Sequence, residues 1–169
     1  LYSPQSVWVE TTGNIYIMDT SNCKIRLVSP YGIISSFGGV DASCGSNGDG
    51  NPITATWLSS PKSMWGDSIG NLYVIENSAI RKISSGTRIA TRIAGSGSYN
   101  TENVTATTYY FSNPWSIWGD TQNNLYISET SVHIVKKLNL LNNMITTFAG
   151  NRTAGFIDNV PATRAELRS

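Results

Sequence analysis

The side chains able to do acid–base or metal chemistry are few and scattered along this chain. His133 is the single histidine, so neither a multi-histidine metal centre nor more than one histidine-based proton relay can be built from it. Asn47, Asp49 and Asn51 alternate as the oxygen donors of a calcium loop do. Pro52 then stands where such a loop requires glycine, and no glutamate follows at its twelfth position. Carboxylates recur at Asp19, Glu76 and Glu129. Acids at one level of three repeats could hold a cation or a basic ligand, but their presence in every repeat favours a turn-capping role. Arg81-Lys82 and Lys136-Lys137 are the longest basic runs, and a formal net charge of +1 gives no field that would gather nucleic acid or an anionic membrane. The chain therefore reads as non-enzymatic, with no cofactor implied, no metal ligands and no nucleic-acid partner.

Other residues speak to environment and contact. Cys23 and Cys44 are expected on one rim of the fold, where they could form a disulfide; two reduced thiols are the alternative. Asn103-Val104-Thr105 and Asn151-Arg152-Thr153 are glycosylation sequons in segments that read as exposed connectors. Trp57, Tyr99, Tyr109 and Tyr110 fall in the same kind of segment and are the candidates for a contact surface. Only 14 % of residues are charged, against roughly 25 % in an average soluble domain, so the surface is polar but weakly charged. No run of 18 or more apolar residues could cross a bilayer as a helix, so no membrane insertion is expected. Together these features point to an extracellular or lumenal setting. The start at Leu1 suggests a sequence lying inside a longer precursor.

The elements that position these residues are set by internal repetition. Ser6-Val7-Trp8, Ser63-Met64-Trp65 and Ser116-Ile117-Trp118 correspond. A tyrosine follows each tryptophan by eight residues, in Asn14-Ile15-Tyr16-Ile17, Asn71-Leu72-Tyr73-Val74 and Asn124-Leu125-Tyr126-Ile127. A third set is Ile25-Arg26-Leu27, Ile80-Arg81-Lys82 and Val135-Lys136-Lys137. A fourth is Ile33 to Gly39, Ile89 to Gly95 and Met144 to Gly150. Each segment is short, rich in β-branched and aromatic residues, and bounded by Gly, Asn and Ser clusters, which is strand-and-turn chemistry. No stretch sustains a helical period. Four strands per repeat at this spacing predict an all-β chain of β-propeller blades, each a four-stranded antiparallel sheet buried on both faces.

In detail, Gly70-Asn71-Leu72-Tyr73-Val74, then Ile80-Arg81-Lys82-Ile83, then Met144-Ile145-Thr146-Thr147-Phe148-Ala149-Gly150, with the connector Asn159-Val160-Pro161-Ala162-Thr163-Arg164-Ala165-Glu166-Leu167, resemble the NHL repeat over nearly the whole chain. The resemblance implies blades at 1–57, 58–110 and 111–169, the last with a connector to a missing blade. All three would be part of one ring that in the family has six. Further blades, or a second copy of the chain, would then complete the ring. Tryptophan replaces the family's usual small residue at Trp8, Trp65 and Trp118, and Gly66 and Gly119 follow two of them, which suggests compensation of volume between packed blades. The three indoles are expected to be buried. Loops between second and third strands, and the connectors 40–57, 96–110 and 151–166, should share one rim. The reading that follows is a non-catalytic extracellular scaffold contacting a protein or a glycan. Two alternatives stand beside it: a fragment of a metal-dependent lyase or hydrolase with its site in missing blades, and an intracellular RNA-binding module of the same repeat.

Overall fold

The computed structural model describes residues 1–40, 44–95 and 97–168; residues 41–43 and 96 of the expected rim connectors, and Ser169, lie outside that set. The chain forms two compact units, Leu1–Ile93 and Ala94–Ser169. Every described element is a strand or a three-residue 3-10 turn.

The first unit holds two sheets. One comprises β1 (Pro4–Val9), β2 (Ile15–Asp19), β3 (Lys24–Val28) and β4 (Ile34–Gly38), antiparallel and in sequence order. The other comprises β5 (Asn51–Pro52), β6 (Pro61–Gly66), β7 (Leu72–Glu76), β8 (Ala79–Ile83) and β9 (Ile89–Gly95), in the order β5-β9-β8-β7-β6. The second unit repeats that pattern with β10 (Val104–Thr105), β11 (Pro114–Gly119), β12 (Asn124–Glu129), β13 (Ile134–Asn139) and β14 (Met144–Ala149). The four strands expected per repeat are present. The second and third sheets each gain a two-residue outer strand that the sequence reading had placed inside a connector: Asn51 pairs with Ala90, and Val104 with Ile145. Two residues carry too little periodicity to announce a strand.

Repetition reaches the irregularities. Each first strand shifts register after its proline, between Pro4 and Ser6, Pro61 and Ser63, and Pro114 and Ser116. Opposite Ile25-Arg26 and Val135-Lys136 the fourth strand carries one extra residue, Phe37 or Phe148, a β-bulge. The bulge aims each phenyl ring edge-on at the tyrosine two strands away, Tyr16 or Tyr126, at 4.9 Å between centroids. Such aromatic pairs contribute about 0.5–1.5 kcal/mol beyond burial.

The core of the first unit spans both its sheets: Tyr16, Met18, Ile25 and Phe37 lie in one cluster with Ile53, Leu58, Met64, Leu72, Val74 and Ile83. Trp8 packs against it, and the contact explains the Trp-Gly spacing. A Cβ placed on Gly66 would overlap Cζ2, Cε2 and Cη2 of the Trp8 indole, so the ring occupies the volume that glycine leaves empty. Beside it the Met64 N–H donates to Ser6 Oγ at 3.2 Å. The expectation that all three indoles are buried is corrected. Trp8 and Trp65 are half-buried, and Trp118 is 68 % exposed. Trp8 is the indole whose cover is a glycine-bearing strand of the next sheet, at Gly66.

Candidate binding rim

In each sheet the end expected to form a rim is anchored by the recurring acid. Asp19, Glu76 and Glu129 each end a second strand and are almost fully buried. Each carboxylate accepts the backbone N–H of the residue 17 positions earlier: Tyr2 at 2.6 Å, Ser59 at 3.0 Å and Ser112 at 2.6 Å. Those N–H groups stand just before Ser3, Ser60 and Asn113, all at positive φ, where the chain turns into its first strand. The acids are thus structural, as their recurrence suggested, but what all three cap is the turn into the first strand; Asp19 in addition accepts the Asn22 amide of its own turn at 2.9 Å. Burial raises the Glu76 carboxyl against the opposing pull of Arg81 and the Ser59 N–H. It raises Glu129 likewise, against hydrogen bonds from Tyr109 and Ser112. For Asp19 the balance reverses: burial is outweighed by the Tyr2 N–H and the Asn22 amide, and the group lies low.

Beneath the rim each acid faces a base from the third strand. Arg81 is fully buried, pairs with Glu76, and donates to the carbonyl of Asn47 at 3.0 Å, tying the connector to the sheet. In the second unit Lys136 Nζ reaches Glu102 Oε1 at 2.6 Å and Thr147 Oγ1 at 2.9 Å, and it lies 4.8 Å over the Tyr109 ring. Burial lowers the Lys136 ammonium while Glu102 supports it. For Glu102, burial is outweighed by hydrogen bonds from Lys136 and Thr147, which hold its carboxyl low.

The candidate contact residues divide. Trp57 (38 %), Tyr99 (60 %) and Tyr110 (48 %) are exposed on backbone that is pinned. Trp57 bridges to Asn47, and the Tyr110 N–H donates to the Tyr99 carbonyl at 2.6 Å. Tyr109 is corrected: its side chain is wholly buried against Phe111, with its hydroxyl on Glu129 Oε1 at 2.7 Å. Of two adjacent tyrosines on an extended segment, one must point inward; which one depended on where the 3-10 turn Ala106–Thr108 ends. His133 sits at the left-handed end of another such turn, Thr130–Val132, a turn position.

Cys23 and Cys44 form a disulfide, with Cα atoms 5.4 Å apart. Both sequon asparagines are exposed. Asn103 adopts positive φ just before β10. Asn151 accepts the Thr153 N–H at 2.8 Å and lines an open cavity of about 290 Å³ with Glu102, Thr147, Gly150, Arg152 and Thr163. Sequence reasoning missed this cavity, because Glu102 and Thr147 are 45 residues apart and nothing in their spacing links them.

No protein-family model matches the chain, and no curated protein is similar to it in sequence. Solved structures do share its fold. An auxiliary nutrient binding protein from Bacteroides thetaiotaomicron superposes with a TM-score of 0.67 at 12 % identity, over 96 % of this chain and 40 % of that one. A second, from Bacteroides ovatus, gives 0.65 at 17 % identity over 98 % and 40 %. Virginiamycin B lyase from Staphylococcus aureus gives 0.57 at 15 % identity over 88 % and 41 %. The chain spans about two fifths of the length of each. At such identities the likeness bears on the fold alone: three antiparallel blades of a β-propeller-like fold.

Proposed function

We propose that the chain is a non-catalytic, extracellular binding or scaffold module built from NHL-type blades, with its connectors as the contact surface for a protein or a glycan. The observation that carries the reading is the exposure of Trp57, Tyr99 and Tyr110 on pinned backbone. Rigid aromatic side chains supply large contact area at low entropic cost, and they are enriched where interfaces form. The disulfide supports an oxidising compartment, and two of the similar structures are nutrient binding proteins.

The same reading makes a further blade, rather than a second copy of this chain, the neighbour of Trp118. Val9 occupies in the first sheet the place of Gly66 in the second. A first sheet from another copy would set a valine against the exposed indole, where the Trp8 contact tolerates no Cβ.

The test compares the full chain with a W57S/Y99S/Y110S variant. Both are offered to a glycan array and to zero-length cross-linking against the extracellular protein fraction of the native source. Glycan signal or cross-linked adducts that vanish in the variant, at unchanged melting temperature, are expected. Identical patterns for the two chains overturn the assignment of the rim, and saturable binding of single-stranded RNA by both would favour the intracellular reading.

A further inference from the structure

A cavity of about 230 Å³ opens within the first unit, at the edge where the β1–β2 and β8–β9 turns emerge. Antiparallel strands put this edge opposite the rim described above. Glu10, Asn14, Tyr16, Phe37, Ser85 and Arg88 are its chief lining residues. Two of them depart from the repeat at equivalent positions.

The first departure is Glu10. In the other sheets this position is aspartate, and its carboxylate ties up the turn. Asp67 Oδ2 accepts Asn71 Nδ2 at 2.7 Å and the Tyr73 hydroxyl at 3.1 Å, and Asp120 Oδ2 accepts Asn124 Nδ2 at 2.8 Å and the Tyr126 hydroxyl at 3.0 Å. Glu10, one methylene longer, uses Oε2 for the Thr12 hydroxyl at 2.5 Å and Asn14 Nδ2 at 2.8 Å. The Tyr16 hydroxyl and Glu10 Oε1 are left without a hydrogen-bond partner among the described residues and face the cavity. Burial, and then Glu10, raise the Tyr16 hydroxyl, and Arg88 opposes them, so both charges act on that one group.

The second departure is Arg88. It is the last residue of the β8–β9 turn, at φ 55°. The same place is Gly32 in the first sheet, at φ 79°, and Asn143 in the third, at φ 57°, residue types that tolerate the left-handed region. An arginine there is strained, and such strain tends to persist where function over-determines it. Its guanidinium lies 4.9 Å over the Phe37 ring and has no carboxylate partner among the described residues. One small cavity therefore presents a carboxylate oxygen, a guanidinium and a phenol hydroxyl, none of them paired with another. The phenyl face that a sugar ring would stack upon is already covered by Arg88.

From this geometry we infer that the cavity is a binding site for a small zwitterion of amino-acid size, its ammonium on Glu10 and Tyr16 and its carboxylate on Arg88. The two charges and the hydroxyl are what such a ligand needs, since charge-assisted hydrogen bonds to ionised groups are the strong ones. This inference is independent of the opposite rim.

The test is NMR titration of the full chain, following the ring resonances of Tyr16 and Phe37 and the amide of Ser85, with glycine, acetate, methylammonium and glucose as separate probes. Glycine should give saturable shifts with a dissociation constant on the order of millimolar, and each single-charge probe should bind roughly tenfold more weakly or worse. Glu10→Asp and Arg88→Gly install residues that the other blades already carry, so both variants should fold. Each should abolish the glycine shifts, and Arg88→Gly should melt at the same temperature or higher. Absence of saturable shifts with glycine, equal binding of acetate or methylammonium alone, preference for glucose, or undiminished binding by both variants each overturns the inference.

Discussion

Gly66→Ala isolates the contact between the two sheets of the first unit. Gly66 is not at positive φ, so alanine meets no backbone penalty, and replacing a strand-interior glycine should by itself stabilise by about 0.5–1 kcal/mol. The new Cβ, however, lands among three atoms of the Trp8 indole. If the ring holds its place, overpacking costs roughly 1–3 kcal/mol. If it swings out, a half-buried indole that re-exposes on the order of 100 Å² loses about 2.5 kcal/mol at 25 cal/mol per Å². The net change is a destabilisation of about 0–2.5 kcal/mol by the first route and about 1.5–2 kcal/mol by the second. Urea unfolding followed by circular dichroism measures it, in a cycle with Trp8→Leu. Without the indole the penalty should vanish and Gly66→Ala should become neutral or stabilising, a coupling of at least about 1 kcal/mol. Gly32→Ala is the control: nothing lies within 4 Å of its Cβ, but φ is 79°, so its cost should be the same with or without Trp8. Additive effects of Gly66→Ala and Trp8→Leu would refute the packing argument.

Three further outcomes are expected. Reducing or replacing Cys23–Cys44, 21 residues apart, should lower stability by about 3 kcal/mol on the loop-entropy estimate, and two freely alkylated thiols in native material would contradict the bond. Asp120 should titrate at about 2: the Asn124 side-chain amide holds it down, backbone N–H groups of Asn124 and Gln122 and the Tyr126 hydroxyl assist, and desolvation opposes them. Because the folded value is the lower one, its stabilising contribution is complete above about 4 and is lost as pH falls from there to about 2; carboxyl-carbon NMR should show Asn124→Ala moving the midpoint up. Asn103 or Asn151 should carry sugar in protein from its own source, and glycopeptide mass spectrometry that finds both bare would argue against the extracellular reading.

What the sequence could and could not disclose follows from the range of the interactions. The strands were legible because each rests on neighbours in sequence: Tyr16 with Trp8, Asn71 with Asp67, and glycine where a turn needs positive φ. Three copies of the pattern confirmed one another. The recurrence of Asp19, Glu76 and Glu129 showed structural acids, but not that each serves a backbone N–H 17 residues back. The direction of one side chain in a connector was beyond reach, which is why Tyr109 was placed with Tyr110 on the surface. Trp118 shows the limit from the other side. Its sequence neighbourhood matches those of Trp8 and Trp65, yet it is exposed whereas Trp8 packs against Gly66 of another sheet, a difference that the indole's own strand does not encode. Departures from the repeat were visible all along as Glu10 among aspartates and Arg88 among glycine and asparagine. Nothing in the sequence links the two residues, 78 positions apart, and only the folded chain shows that they face a single cavity.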